Sequence, residues 1–115
     1  MIKKKGAQEI EKRAGMRGGT GEITIRHYLK PDEIKARTRL CSELTLPPGA
    51  SIGPHDHVEE DEIYIIQKGQ GLMTDGGKEF QVTAGDAILT GQGASHSIKN
   101  TGAGDLVVTA IIIKY

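Results

Sequence analysis

Between Thr38 and Ile113 the chain is a succession of short β-rich runs, each closed by a turn containing glycine or proline. Arg39–Leu46 alternates, with Leu40, Leu44 and Leu46 on one face, and Pro47-Pro48-Gly49 ends it. Ile63–Gln67 follows. Gly71–Thr74 and Lys78–Val82 flank Asp75-Gly76-Gly77, a hairpin turn that requires positive φ. Asp86–Thr90, Ser95–Lys99 and Leu106–Ile113 complete the series. Runs arriving at about 8–12-residue spacing, with no helical period between them, predict an all-β fold, an antiparallel sandwich or barrel. Glycine, 16 of 115 residues, separates the runs rather than forming a low-complexity tract.

The remainder of the chain is read around that series. Residues 7–14 are expected to form one short helix stopped by Gly15, and residues 15–21 a loop. Ile23–Leu29 is expected to be a strand ended by Pro31, with Asp32–Arg37 a connection. This divides the chain into an N-terminal extension, 1–21, and a single barrel domain, 22–115. Six bases against two acids in residues 1–20 make the extension basic, while the whole chain is formally neutral. A run of three lysines is ordinarily a solvated end, so no nucleic-acid partner is expected. No apolar stretch reaches the ~18 residues of a membrane span, and the N-terminus lacks the apolar region of a signal peptide. With a single cysteine, Cys41, no internal disulfide can form, and a cytoplasmic protein is expected.

Three of the four histidines fall in two clusters. His55 and His57 are two apart and on a strand would point to one face; Glu62 lies five residues further on, and His96 begins a later run. Alone, each residue is commonplace, and Glu59, Glu60 and Asp61 compete with Glu62 as the acid. Together, three imidazoles and a carboxylate suit a six-coordinate divalent metal with open positions. The set is harder than a thiolate-rich structural zinc site.

The stretch Gly49 to Gly69 reads G-x5-H-x-H-x4-E-x6-G, and Gly85 to Asn100 reads G-x5-G-x-G-x2-H-x3-N. The first resembles the first motif of the cupin superfamily without departure. The second resembles the second cupin motif, with Gly91 where proline is usual. The resemblance implies a double-stranded β-helix, or jelly-roll barrel, and a metal held by His55, His57, Glu62 and His96. It implies structural roles for Asn100, which would close a turn, and for Gly49, Gly69, Gly85 and Gly93. It does not choose a reaction, because cupins host isomerases, dioxygenases, decarboxylases, lyases and non-catalytic domains.

A metalloenzyme acting on a small oxygenated metabolite is therefore expected, with a metal-dependent binding or sensory domain as the rival. Intact ligands argue against a structural protein with a vestigial site. Mn or Fe is the expected metal; Zn, Ni and Cu would also load. Tyr64 shares a face with Glu62 and Ile66 and is the candidate acid or base, although a packing role is the commoner fate of a strand tyrosine. His27 lies in phase with Ile23, Ile25 and Leu29, and Glu43 faces away from the leucines. With one Phe and no Trp, an aliphatic pocket is expected. A homodimer is also expected, since exposed strand edges need covering; Ile23–Leu29 is the strand placed to cross between subunits.

Overall fold

A computed structural model describes all residues, 1–115. Ten strands form two antiparallel sheets. They are β1 (Ile10–Ala14), β2 (Glu22–His27), β3 (Thr38–Leu46), β4 (Ser51–Asp56), β5 (Glu60–Lys68), β6 (Gln70–Asp75), β7 (Lys78–Thr83), β8 (Ala87–Gly91), β9 (Ser95–Asn100) and β10 (Leu106–Lys114). The larger sheet runs β1-β2-β3-β10-β5-β8 and the smaller β4-β9-β6-β7. This is the expected jelly roll. Helix is limited to three short 3-10 turns, Lys5–Ala7, Met16–Gly18 and Pro31–Glu33. No helix is long and apolar enough to cross a membrane.

The core lies between the sheets, where alternation along each strand delivers the apolar side chains. Ile23 and Ile25 of β2, Leu44 and Leu46 of β3, Ile66 of β5 and Leu106, Val108 and Ala110 of β10 meet Ile52, Met73 and Ile98 of the smaller sheet. β6 and β7 pair across Gly76-Gly77, both at positive φ, as the hairpin signal requires. Asn100 donates to the carbonyls of Leu46 and Gly104, at 2.8 Å each, and accepts from the Gly102 amide, so its structural role is met with its side chain buried.

One expectation is corrected. Residues 10–14 are strand β1, not part of a helix over 7–14. Their side chains favour helix, but the backbone gains a full antiparallel ladder on β2, from Ile10 opposite Arg26 to Ala14 opposite Glu22. Gly15 N donates to Gly21 O, closing the loop that returns the chain to β2. β2 is paired on both sides within the chain, by β1 and β3, with Ile23 and Ile25 buried in the barrel. Three of the six bases of the N-terminus are paired, Lys3 with Glu33, Lys12 with Glu22 and Arg13 with Glu11.

Candidate metal centre

Three strands and one loop converge on a single point. His55 (β4) stands directly opposite His96 (β9) in the antiparallel ladder. A bulge between Ile52 and His55, at Gly53-Pro54, re-aims the end of β4. His57 lies just beyond β4. Its amide donates to Ala94 O and its carbonyl accepts from Gly93 N, at 3.0 and 2.8 Å, which pins it to the turn before β9. Glu62 is the third residue of β5, opposite Thr90 of β8. Donor atoms of His55, His57, Glu62 and His96 all lie within 4.8 Å of one another, and all four side chains are nearly or fully buried.

The imidazoles are oriented from behind. His57 Nδ1 lies 2.9 Å from Glu60 Oε1, His55 Nδ1 2.8 Å from Gly53 O and His96 Nδ1 2.9 Å from Thr90 Oγ1. A carboxylate and a carbonyl only accept, so His55 and His57 carry their proton on Nδ1 and turn the Nε2 lone pair inward. Glu60 is held by two parallel bonds from Arg39, at 2.8 and 2.7 Å, which keep its carboxyl at about 2; the His57 bond adds to this. Carboxylate–histidine orientation of this kind is the usual support of a metal ligand.

The inner faces fit a cation. His57 Nε2 is 3.0 Å from His96 Nε2, which is 3.1 Å from His55 Nε2, and Glu62 Oε1 lies 3.0 and 2.9 Å from the first two. Lone pairs at that spacing repel unless something positive stands between them. Glu62 Oε1 is buried with no hydrogen-bond partner, a costly state for a charged oxygen. Burial alone would raise its carboxyl, but the three surrounding imidazoles outweigh this and hold it well below the usual range. Without a metal, the remaining remedy is a proton on an Nε2, which consumes a ligand lone pair. Burial opposes that proton on His57, yet Glu62 and Glu60 outweigh burial and raise its pKa above the ordinary value.

The centre forms the floor of a cavity of about 220 Å³. Ile25, Leu40, Leu44 and Ile112 give it aliphatic walls, and Arg13, Arg17, His27 and Arg39 make it basic. Tyr64 is buried beside the floor, its ring stacked on His96 at 5.0 Å, and burial pushes its hydroxyl well up. His27 is on the inner face as its phase implied, bonded through Nδ1 to Ser42 and through Nε2 to Glu11. Glu43 points out, paired with Arg26 at 2.8 Å.

Residues 42–112 match the family model described as the cupin domain. This chain is a cupin. It is 45% identical over 103 residues to the oxalate-binding protein of Thermotoga maritima, covering 90% of this chain and 85% of that protein. Its fold superposes on the crystal structure of a predicted oxalate decarboxylase from Thermotoga maritima with a TM-score of 0.95, at 41% identity and full coverage of both chains. The polyketide cyclase RemF of Streptomyces resistomycificus shares the fold alone, with a TM-score of 0.78 at 19% identity over 99% of this chain and 80% of that one.

In this cupin the four residues singled out in sequence are brought together, as a cluster that could hold a metal ion. Glu59 is exposed, and Asp61 turns away to accept a 2.6 Å bond from Tyr115. Three supporting residues went unseen. The signal for Glu60 was present: it alternates onto the same face as Glu62 and lies three residues after His57. Arg39 and Thr90 carried no such signal, because only the barrel's closure brings them to the site.

Proposed function

We propose that this cupin is a metalloenzyme that holds one divalent transition metal on His55, His57, Glu62 and His96 and uses it to bind a small carboxylate, oxalate in the first instance. The observation that carries this reading is a buried set of inward-facing lone pairs at the floor of a small cavity with arginines at its sides. The relatives' names, oxalate-binding protein and predicted oxalate decarboxylase, point to the same ligand class. Mn(II) or Fe(II) is the proposed working ion, since three imidazoles and one carboxylate leave about two octahedral positions free. Such an ion supplies Lewis acidity toward a ligand oxygen. The chain's own residues shape the rest: aliphatic walls exclude water, and the Tyr64 hydroxyl, kept protonated by burial, is the available proton donor.

A second reading, metal-dependent binding without turnover, is favoured by one observation: Glu62 is the only carboxylate lining the cavity, so no free carboxylate base faces a ligand. Calorimetric titration of anaerobically Mn- or Fe-loaded protein with oxalate, followed by assay of formate and CO2, tests both. Binding that requires metal is expected, with product formed in the enzyme reading and none in the second. Absence of binding with either metal would contradict both readings. We propose further that residues 22–115 act as one barrel domain in a cytoplasmic homodimer. Exposed Leu89 on β8 and Phe80 on β7 are the surface that dimerisation would cover. Light scattering at micromolar concentration should give twice the chain mass, and the chain mass alone would rule the dimer out.

A further inference from the structure

Arg17 lines the cavity but belongs to neither cupin motif. It sits in the 3-10 turn Met16–Gly18, within the run Gly15-Met16-Arg17-Gly18-Gly19-Thr20-Gly21. Its backbone is left-handed, φ 54 and ψ 32, as are those of Gly15, Gly18 and Gly21. Glycine adopts that region freely and arginine does so at a cost, so the position carries a side chain where the backbone favours none.

The turn is fastened beside the metal centre. Ser51 N donates to Thr20 O at 2.8 Å, Thr20 N to Ser51 Oγ at 2.9 Å, and Thr20 Oγ1 to Gly49 O at 3.0 Å. Gly53 permits the closest approach, since a Cβ there would overlap the carbonyl oxygen of Arg17. The Gly53 carbonyl is in turn the acceptor that orients His55. The segment bearing Arg17 thus packs directly on the strand that carries a proposed ligand.

Of the arginines in the cavity wall, Arg39 is committed to Glu60 and Arg13 to Glu11, and His27 is tied to Ser42 and Glu11. Arg17 pairs with no carboxylate of the chain. An exposed guanidinium at the cavity mouth, with five donors and no internal acceptor, matches a carboxylate supplied from outside.

We propose that Arg17 is the specificity-determining anchor for a short dicarboxylate of two to four carbons, binding the carboxylate oxygens turned away from the metal. This rests on the reading that a small carboxylate binds at the centre. It adds that the N-terminal turn, rather than the motif-bearing barrel, separates dicarboxylates from monocarboxylates.

The test is calorimetry on Mn-loaded wild type, Arg17→Asn and Arg17→Lys, titrated with oxalate, malonate and acetate, with bound Mn and melting temperature measured in parallel. Asn tolerates left-handed backbone, so Arg17→Asn should keep both the melting temperature and the metal. It should weaken the best dicarboxylate by about ten- to hundredfold, the usual effect of losing charged hydrogen bonds, and leave acetate unchanged. Arg17→Lys should recover part of the loss. Dicarboxylate affinity unchanged in Arg17→Asn, with wild type binding well, would overturn this assignment alone. Equal weakening of acetate and dicarboxylate would overturn it too, by showing a general electrostatic effect. A wild type that binds Mn but none of the three anions would bring down the carboxylate reading itself and this inference with it.

Discussion

The floor and the mouth of the cavity are built on opposite principles. At the floor, every imidazole has a fixed partner behind it, the side chains are buried, and the residues come from the two motif-bearing stretches of the barrel. At the mouth, Arg13 and Arg17 are exposed, belong to the N-terminal twenty-one residues, and are placed by a glycine-rich turn. Rigid orientation suits metal ligation, which tolerates little misplacement. A charged rim suits ligand choice. The contrast teaches that one barrel can keep its metal chemistry while the attached segment sets what reaches it.

The largest effect that would sharpen the contrast is acidification. Imidazoles must be neutral to ligate, so three of them should make metal affinity fall by several orders of magnitude between about pH 7.5 and pH 5. The raised His57 pKa makes the loss begin above the ordinary histidine value of 6.5. Metal-free protein should respond with the opposite sign. There, protonated His57 is favoured by folding, so its contribution is complete below 6.5 and is lost as pH rises through the folded value. Glu60 adds stability above its unfolded value near 4.5, lost as pH falls toward about 2. Melting temperature followed against pH, loaded and metal-free, should therefore give opposed slopes near neutrality. Parallel slopes would mean that the floor does not exchange protons for metal.

Next in size is the floor's own support. Glu60→Ala removes the acceptor that fixes the His57 tautomer and should lower metal affinity by about 10–100-fold, with the ligands intact. Competition with a calibrated chelator measures it; an unchanged constant would make Glu60 a mere partner of Arg39.

Gly53→Ala strikes where floor and mouth touch. Its Cβ would overlap the Arg17 carbonyl, so the turn must shift, at about 1–3 kcal/mol by denaturant unfolding. Metal should be retained and dicarboxylate binding weakened. Metal loss instead would show the two regions to be one unit.

The smallest effect should be Arg13→Ala. The side chain is exposed and its partner, Glu11, is close in sequence, so stability should change by no more than about 0.5 kcal/mol.

The same division explains what could be read from sequence. Most strands of the barrel were legible because each run is closed by a glycine or proline turn, although Ser51–Asp56, with Gly53 and Pro54 inside it, was not given as a run; Tyr64 followed from its phase with Glu62. β1 was not, since Glu11, Lys12, Arg13 and Ala14 favour helix locally and only pairing with β2 makes them a strand. The four clustered residues were legible from joint spacing. Thr90 and Arg39 were not, because their contacts to His96 and Glu60 exist only once distant strands are paired. Arg17 was read merely as loop, because a loop's position over a cavity has no local signature.

Metal content per chain decides the central claim. Wild type, His55→Ala, His57→Ala, Glu62→Ala, His96→Ala, Glu59→Ala and Asp61→Ala would be purified anaerobically, loaded with Mn and analysed by elemental mass spectrometry beside a melting curve. Near-stoichiometric metal is expected in wild type, Glu59→Ala and Asp61→Ala, and near-complete loss in the other four while they remain folded. Full metal in Glu62→Ala, with loss in Glu59→Ala, would contradict the placement of the centre.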